Sequence, residues 1–254
     1  MISLLVIGNE ILAAQVEDTN LRHMLIHLGK AGYRVDQIRV VPDKIEVIAA
    51  AVRDLSVHSQ YVISCGGVGP THDDVTLAAY ALAFEVPMNP HPGMVQRLRA
   101  HYGERLKEGH LRMTHLPANV ELLDVGAFHW PVFKIANCFV LPGLPEIFVK
   151  KFAGVLQVLP PAPTRWFAAL ATSLPESEFA AELSALQDRF PLVEIGSYPK
   201  LDCRDYAVRV TLKAEDRGAL EAAFAELHGL FAGRNGLVGE MAARPYDPES
   251  LPRD

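Results

Sequence analysis

The stretch that decides the fold is Ser64-Cys65-Gly66-Gly67-Val68-Gly69-Pro70-Thr71-His72-Asp73-Asp74-Val75-Thr76. It follows the apolar run Tyr61–Cys65, typical of a buried strand, and precedes a helical pattern that continues through Tyr80 and Phe84. A glycine-rich turn between a strand and a helix lies at the carboxyl edge of a parallel sheet, where open α/β folds bind ligands. The stretch therefore predicts the fold class and the place of a site.

On its amino-terminal side the chain alternates strands and helices. Ile2–Ile7 is a continuous apolar run typical of a strand buried on both faces, and a helical pattern begins at Thr19. Tyr33–Val41 is a second predicted strand, and Asp43 with Glu46 forms a capping-box pattern at the start of a second helix. The order β-α-β-α-β-α predicts a parallel sheet with right-handed crossovers.

Beyond the glycine-rich stretch the pattern is more broken, and it divides the chain into two domains. The predicted elements of this first part are Met94–Tyr102, Val120–Asp124, Pro131–Ile135, Cys138–Leu141 and Pro145–Leu156. Leu159-Pro160-Pro161-Ala162-Pro163 is a predicted linker. Later elements, in the order β-α-β-β-α, are Phe167–Thr172, Glu176–Phe190, Val193–Ser197, Tyr206–Lys213 and Asp216–Phe231. We therefore expect an α/β domain over residues 1–158, a small α+β domain over 165–235, and an extended tail over 236–254.

Composition excludes several classes of protein. Half of the 254 residues are hydrophobic, which excludes a disordered chain. The net charge of −6 disfavours binding to nucleic acid or to a membrane surface. The amino terminus lacks the basic start of a signal peptide. Cys65, Cys138 and Cys203 are far apart and form no CxxC pair, so we expect reduced thiols in a cytoplasmic protein.

The glycine-rich stretch carries the chemistry expected for phosphate binding. Gly66, Gly67 and Gly69 allow backbone N–H groups to approach an anion, and the following helix adds its positive end. Asp73 and Asp74 would repel that anion unless a divalent ion such as Mg²⁺ lies between carboxylate and phosphate. The alternative is a turn whose aspartates only cap the helix.

Two further loops are predicted to reach the same edge. After the first strand, Glu10 and Asp18 are candidate metal ligands, whereas Thr19 and Asn20 are candidate hydrogen-bonding partners of a ligand. Asp18 and Thr19 are also ordinary helix-capping residues. The loop Leu141–Glu146 contains Gly143 before a proline-initiated helix, which leaves N–H groups near the sheet edge.

These blocks resemble a known family. Gly66–Thr76 is similar to the GGxGPTxDDxT signature of the molybdopterin-binding-like domain, in the branch found in competence/damage-inducible protein A (CinA) and in the amino-terminal half of animal FAD synthase. Gly8–Leu12 resembles that branch's GDEIL block, and Asp18–Asn20, Val41–Asp43 and Leu141–Glu146 resemble further blocks in the same order. The resemblance covers residues 1–155, and residues 165–233 resemble the small domain that follows in CinA.

The resemblance implies a three-layer α/β sandwich, mainly parallel, that hydrolyses a nucleotide diphosphate linkage of the ADP-ribose or FAD type and releases AMP. It implies a divalent metal, Mg²⁺ or Co²⁺, with K⁺ as a further ion, and a homo-oligomer. On this reading Asp74 and Asp73 are catalytic, Asp74, Asp73 and Glu10 hold the metal, and the ligand contacts Gly66, Gly67, Gly69, Thr71, Thr76, Thr19, Asn20 and Gly143. His72, at a variable position of the signature, is expected at the surface.

Two departures from the family pattern leave other functions open. Asn9 replaces the aspartate of GDEIL, and no segment resembles the CinA amidohydrolase or the FAD-synthesising domain, so nicotinamide-nucleotide deamidation and FAD synthesis are not expected. One alternative is a pterin-binding or adenylyl-transfer protein of molybdenum-cofactor metabolism, although the PTxDD form of the loop favours the hydrolase. The other is a non-catalytic protein that binds a nucleotide or pterin.

Overall fold

The computed structural model describes residues 1–125, 130–200 and 204–250. The chain forms two compact units, one of residues 1–28 and 33–161 and the other of residues 29–32 and the chain from 162 onward. Among the described residues, no helix combines the length and apolar character needed to cross a membrane. Cys203 and the last residues of the predicted tail lie outside the described part.

A six-stranded sheet forms the centre of the first unit. Its strands are β1 Ile2–Ile7, β2 Val35–Val41, β3 Tyr61–Cys65, β6 Glu121–Leu123, β7 Val132–Ile135 and β8 Cys138–Leu141, and the short pair β4 Met88–Pro90 and β5 His115–Pro117 stands apart. The strand order is β2-β1-β3-β8-β7-β6, parallel from β2 to β8 and antiparallel thereafter. The predicted mainly parallel sheet is confirmed.

Helices cover both faces of this sheet. They are α1 Asn9–Leu12, α2 Thr19–Lys30, α3 Ile45–His58, α4 Thr76–Ala83, α5 Pro92–Tyr102, α6 Glu108–Leu111 and α7 Pro145–Val158. Leu5 and Ile7 of β1 belong to the core shared with α3 and α4, whereas Leu4 and Val6 belong to the core shared with α2 and α7. This is why β1 is buried at every position and apolar at all of them but Ser3, and the three-layer prediction is confirmed.

The start of α3 differs from the prediction. The helix begins at Ile45 and has no side-chain cap. The Asp43 carboxylate instead accepts a hydrogen bond from the backbone N–H of Asn9 at 2.8 Å. Asp43 therefore connects two loops at the carboxyl edge of the sheet, a long-range use that the local capping-box pattern does not reveal.

The second unit has a four-stranded antiparallel sheet and two principal helices. Its elements are β9 Trp166–Thr172, α8 Ala180–Arg189, β10 Glu194–Pro199, β11 Val208–Ala214, α9 Arg217–Gly233 and β12 Leu237–Pro245, and the strand order is β10-β11-β9-β12. Asp216 caps α9, because its carboxylate accepts hydrogen bonds from the N–H groups of Gly218 and Ala219.

The expected extended tail is corrected by β12. Leu237–Pro245 pairs with β9 and forms an edge of the second sheet. Leu237 and Ala243 pack against the core of this unit. Three prolines suggest an unpaired tail in the sequence, but Pro245 lies at the last position of an edge strand, where a missing N–H is tolerated.

Candidate functional site

Three loops meet at the carboxyl ends of β1, β3 and β8, and glycine makes their approach possible. Gly66 has φ +105°, and a Cβ atom there would lie 1.9 Å from the carbonyl oxygen of Ile7. A Cβ atom on Gly143 would lie 3.3 Å from the Cα of Gly66. The loop after β3 is therefore held between the other two, backbone against backbone.

A cavity of about 680 Å³ opens beside these loops. One side is formed by the loops themselves, and the other by an apolar wall of Leu77, Met94, Met113, Trp130 and Phe133. This size and this mixture of backbone, polar and apolar lining are typical of a small-molecule site.

The structure brings most of the sequence-predicted site residues to this cavity. The residues that line it are Glu10, Thr19, Asn20, Gly66, Gly67, Gly69, Asp74 and Gly143. Within the described chain, Thr71, Asp73 and Thr76 are not part of the lining. The cavity therefore adjoins most of the predicted residues, but the glycine-rich stretch does not present all of its polar side chains to it.

Several side chains of the glycine-rich stretch hold the loop itself. The Thr76 hydroxyl is buried and donates to the carbonyl oxygen of Gly66 at 2.8 Å. The Asp74 carboxylate accepts from the backbone N–H of Thr71 at 2.8 Å and from the Thr71 hydroxyl. A Cβ atom on Gly69 would lie 2.5 Å from that carboxylate, so glycine makes room for it. We assign Thr76 a structural role rather than ligand binding.

Asp73 is exposed and is not among the residues that line the cavity. Its side chain is 66% exposed and lies 3.9 Å from the ring of His72, which is 94% exposed. The expected surface position of His72 is confirmed. Asp74 lines the cavity, whereas Asp73 does not.

Several N–H groups of the glycine-rich stretch donate to no acceptor among the described residues, and three of them are consecutive. Hydrogen bonds within the described structure use the N–H groups of Gly66, Thr71 and Thr76 but none of those from Gly67 to Gly69. Successive unpaired N–H groups beside a helix amino terminus form an anion-binding concavity.

Two acceptor oxygens of the lining are also unsatisfied. Asp18 Oδ1 caps α2 by accepting from the N–H of Leu21, and Asn20 Nδ2 donates to the carbonyl oxygen of Gly143 at 2.7 Å. The second oxygen of each side chain, Asp18 Oδ2 and Asn20 Oδ1, is buried and has no partner among the described residues. A buried acceptor without a partner costs about 1–3 kcal/mol, so both oxygens are suited to a ligand with N–H or O–H donors.

Sequence analysis missed Lys151 and the apolar wall. Lys151 lines the cavity although it is only 1% exposed, and its burial lowers its pKa. The signal was present in the helical spacing, because Lys151 lies on the buried face of α7 that Phe148 and Phe152 define. A lysine within such an apolar stripe is rare unless its charge is used.

The predicted metal ligands do not form an all-protein site. The described residues contain no group of three or more His, Cys, Asp or Glu side chains placed to hold a metal ion. Glu10 and Asp74 line the cavity, and Mg²⁺ is commonly held by one or two carboxylates together with substrate phosphates. Glu10 and Asp74 are therefore suited to hold a metal ion together with the phosphates of a ligand. Asp73 is not part of the cavity lining.

Comparison with known families divides the chain where the structure does. Residues 3–161 match the family described as "Probable molybdopterin binding domain", and residues 166–235 match "FAD synthase, middle domain".

Curated relatives include proteins with both regions. The chain is 32% identical over 258 residues to "Probable FAD synthase" of Caenorhabditis elegans, covering 91% of this chain and 50% of that protein. It is 35% identical over 151 residues to a "CinA-like protein" of Citrifermentans bemidjiense, covering 57% of this chain and 36% of that protein. The chain spans about half the length of the FAD synthase relatives that it matches.

A solved structure supports the same assignment. The CinA protein of Thermoplasma acidophilum, described as having unknown function, superposes with a TM-score of 0.54 at 27% identity, covering 61% of this chain and 93% of that one. The matched region, the parallel sheet and the glycine-rich loop all agree with this family. The chain therefore belongs to the molybdopterin-binding-domain family and carries a second region of the FAD synthase middle-domain type.

Proposed function

We propose that the first unit binds a nucleotide whose phosphates lie on the glycine-rich loop and whose ring lies on the apolar wall. The unpaired N–H groups from Gly67 to Gly69 at the cavity edge carry this proposal. Backbone N–H groups recognise phosphate oxygens without regard to the rest of the ligand. The ring specificity must then come from the wall and from the two unsatisfied acceptors.

The ring end of the cavity favours a flat heterocycle with N–H donors. Met94, Met113 and Trp130 provide an apolar and aromatic surface on which such a ring can stack. Asp18 Oδ2 and Asn20 Oδ1 are acceptors without donors. Flavins, pterins and adenine all combine a flat ring with N–H groups, and the names of the relatives favour a flavin nucleotide or a pterin.

The reaction that we propose is adenylyl transfer at the diphosphate of such a ligand. For a flavin it is FAD + pyrophosphate ⇌ FMN + ATP, in which one phosphoanhydride bond breaks as another forms at the adenylyl phosphorus. Fixed N–H donors act on the charge that develops on the phosphate oxygens in the transition state. Sequence analysis left adenylyl transfer open only within molybdenum-cofactor metabolism and did not expect FAD synthesis. The FAD synthase names of the relatives favour a flavin ligand for the same type of transfer over hydrolysis.

Metal-dependent hydrolysis, FAD + H₂O → FMN + AMP, is the second candidate. It is favoured by the four carboxylate residues of the lining, Glu10, Glu17, Asp18 and Asp74, whose charge would oppose a phosphate. A divalent ion held by Glu10, Asp74 and the ligand would compensate that charge. ADP-ribose is a second substrate of the same linkage type.

One experiment distinguishes these activities. Purified protein is incubated with FAD or ADP-ribose, with and without pyrophosphate, in EDTA, Mg²⁺ or Co²⁺, and the products are separated by chromatography. ATP formed only with pyrophosphate supports transfer, whereas AMP formed without it supports hydrolysis. Saturable binding of FAD without either product would leave a binding protein, and absence of both binding and product would refute the proposed site.

A further inference from the structure

One side of the cavity belongs to a segment that folds apart from the central sheet. Residues 88–117 follow α4, and their two strands, β4 and β5, form a two-stranded sheet of their own. Between these strands lie α5 and α6, and Met94 and Met113 from this part of the chain line the cavity. The segment therefore supplies part of the apolar wall.

This segment is basic within an acidic chain. It contains five Lys or Arg residues and two Glu residues, a net charge of +3, whereas the whole chain carries −6. The five cations are Arg97, Arg99, Arg105, Lys107 and Arg112. Arg97 is bound to Asp124 at 2.6 Å. The other four are exposed and form no ion pair with any described residue, so no carboxylate neutralises their charge. We call residues 88–117 the basic segment.

Two contacts fold the basic segment back on itself. The ring of Tyr102, at the end of α5, stacks on the ring of His110 in α6 with 4.0 Å between the centroids. The backbone N–H of His91, just before α5, donates to the carbonyl oxygen of Thr114 at 2.8 Å. The chain after α5 therefore returns to the start of that helix, which gathers the cations on one compact unit.

Two of these cations are close neighbours of the cavity wall. Arg112 directly precedes Met113, and Arg97 follows Met94 by one turn of α5. The part of the lining that the structure describes contains four carboxylate residues and one lysine. An acidic cavity therefore adjoins a basic outer surface, so the charge that an approaching ligand meets first differs in sign from the charge of the lining.

An exposed basic surface acts on association more than on the final affinity. A single exposed cation contributes little to a bound complex, because water and salt screen it. The summed field of several cations raises the association rate of an anionic ligand by about 10- to 1,000-fold, and salt removes this effect. A neutral ligand does not experience it.

We infer that the basic segment attracts the diphosphate of the nucleotide and accelerates its entry, so that the site selects anionic over neutral ring compounds by association rate. This inference rests on the proposed function and adds to it the surface that determines selectivity for the ligand's charge. The exposed cations act before binding, whereas the N–H groups of the glycine-rich loop hold the phosphates afterwards.

The test compares FAD with riboflavin, which has the same ring system and no phosphate. Association rates are measured in EDTA by stopped-flow, from the change in flavin fluorescence, at about 20 mM and about 300 mM salt, where charges are weakly and strongly screened. One variant replaces four exposed cations of the basic segment by glutamine: Arg99, Arg105, Lys107 and Arg112. A control with the same change in net charge replaces four exposed arginines that lie outside the segment and the cavity lining: Arg34, Arg53, Arg189 and Arg217.

The basic-segment variant should bind FAD about tenfold more slowly than the wild type at low salt, and within about twofold of it at high salt. Riboflavin rates should agree within about twofold in all proteins and at both salt concentrations, because no charge is attracted. The control variant should keep the wild-type FAD rate within about threefold, since its changes lie elsewhere on the surface.

The wild type alone already tests the inference, since its FAD association must slow with salt while riboflavin association does not. Association of FAD that is independent of salt overturns the inference, and so does equal slowing in the two variants. A lowered melting temperature with slower binding of both ligands assigns the four side chains a structural role and also overturns it. In each of these cases FAD still binds, so the proposed function stands. If the wild type binds neither ligand, the proposed function fails first, and the inference fails with it.

Discussion

Replacing Gly66 by alanine tests whether the glycine-rich loop is held by backbone packing. The added Cβ would lie 1.9 Å from the Ile7 carbonyl oxygen, at a residue whose φ is +105°. Strain at such a dihedral costs about 1–3 kcal/mol, and overpacking in a close-packed region costs about 1–3 kcal/mol more. Alanine also lowers the conformational entropy of the unfolded chain, which offsets about 0.4–1 kcal/mol of this loss. We therefore expect a net loss of about 3 kcal/mol in the free energy of unfolding.

Two other glycines distinguish the cost of backbone strain from the cost of steric overlap. Gly103 also has a positive φ, of +53°, but a Cβ there meets nothing within 4 Å. Gly103→Ala should therefore lower the free energy of unfolding through backbone strain alone, without steric overlap. Gly109 has an ordinary φ and open space, and its replacement by alanine should change stability by less than about 1 kcal/mol because neither cost applies.

The measurement is urea denaturation followed by Trp130 fluorescence in a Trp166→Phe background. This choice reports on the first unit alone, since Trp166 belongs to the second and a two-unit chain need not unfold in one step. A loss below 1 kcal/mol for Gly66→Ala, or equal losses for Gly66→Ala and Gly103→Ala, would refute the steric argument.

Three further predictions concern single hydrogen-bonding groups. Thr76→Val keeps the shape but removes the bond to the Gly66 carbonyl, so the first unit should lose about 1–2 kcal/mol in urea denaturation, and a neutral result would contradict the structural role. Asp74→Asn can still accept from the Thr71 N–H, so turnover of FAD should fall at least tenfold while circular dichroism and the melting temperature stay close to wild type; full turnover would remove Asp74 from the reaction. Asp216→Ala removes the cap of α9 and should cost about 0.5–2 kcal/mol in the second unit alone, seen by Trp166 fluorescence in a Trp130→Phe background.

The sequence predicts those features that depend on local periodicity. The apolar run of β1, the helix that begins at Thr19 and the strands β10 and β11 follow from apolar patterning or helical spacing, and all are present. The meeting of three loops also follows, because the carboxyl ends of neighbouring parallel strands share one edge.

What the sequence did not reveal depends on long-range partners. Asp43 resembles a helix cap but binds the N–H of Asn9, 34 positions away along the chain. The prolines after Gly236 suggest a tail, but β12 pairs with a strand from the other end of the second unit. Lys151 lies within an apolar helical stripe, but its ammonium donates to the carbonyl oxygen of Val125, 26 positions away along the chain. In each case the role depends on a residue far away in the chain, which the local pattern does not show.

The placement of the glycine-rich loop's side chains suggests how one stretch serves both fold and site. Gly66 is required by the approach of Ile7, Thr76 holds the Gly66 carbonyl, and Asp74 holds the Thr71 N–H. These contacts fix the loop before any ligand arrives, so binding need not meet the entropy cost of ordering it. Among the described residues, the N–H groups from Gly67 to Gly69 have no protein acceptor. Side chains of the stretch thus serve mainly to preorganise its backbone, and under the proposed function that backbone binds the phosphates while Asp74 acts in the reaction.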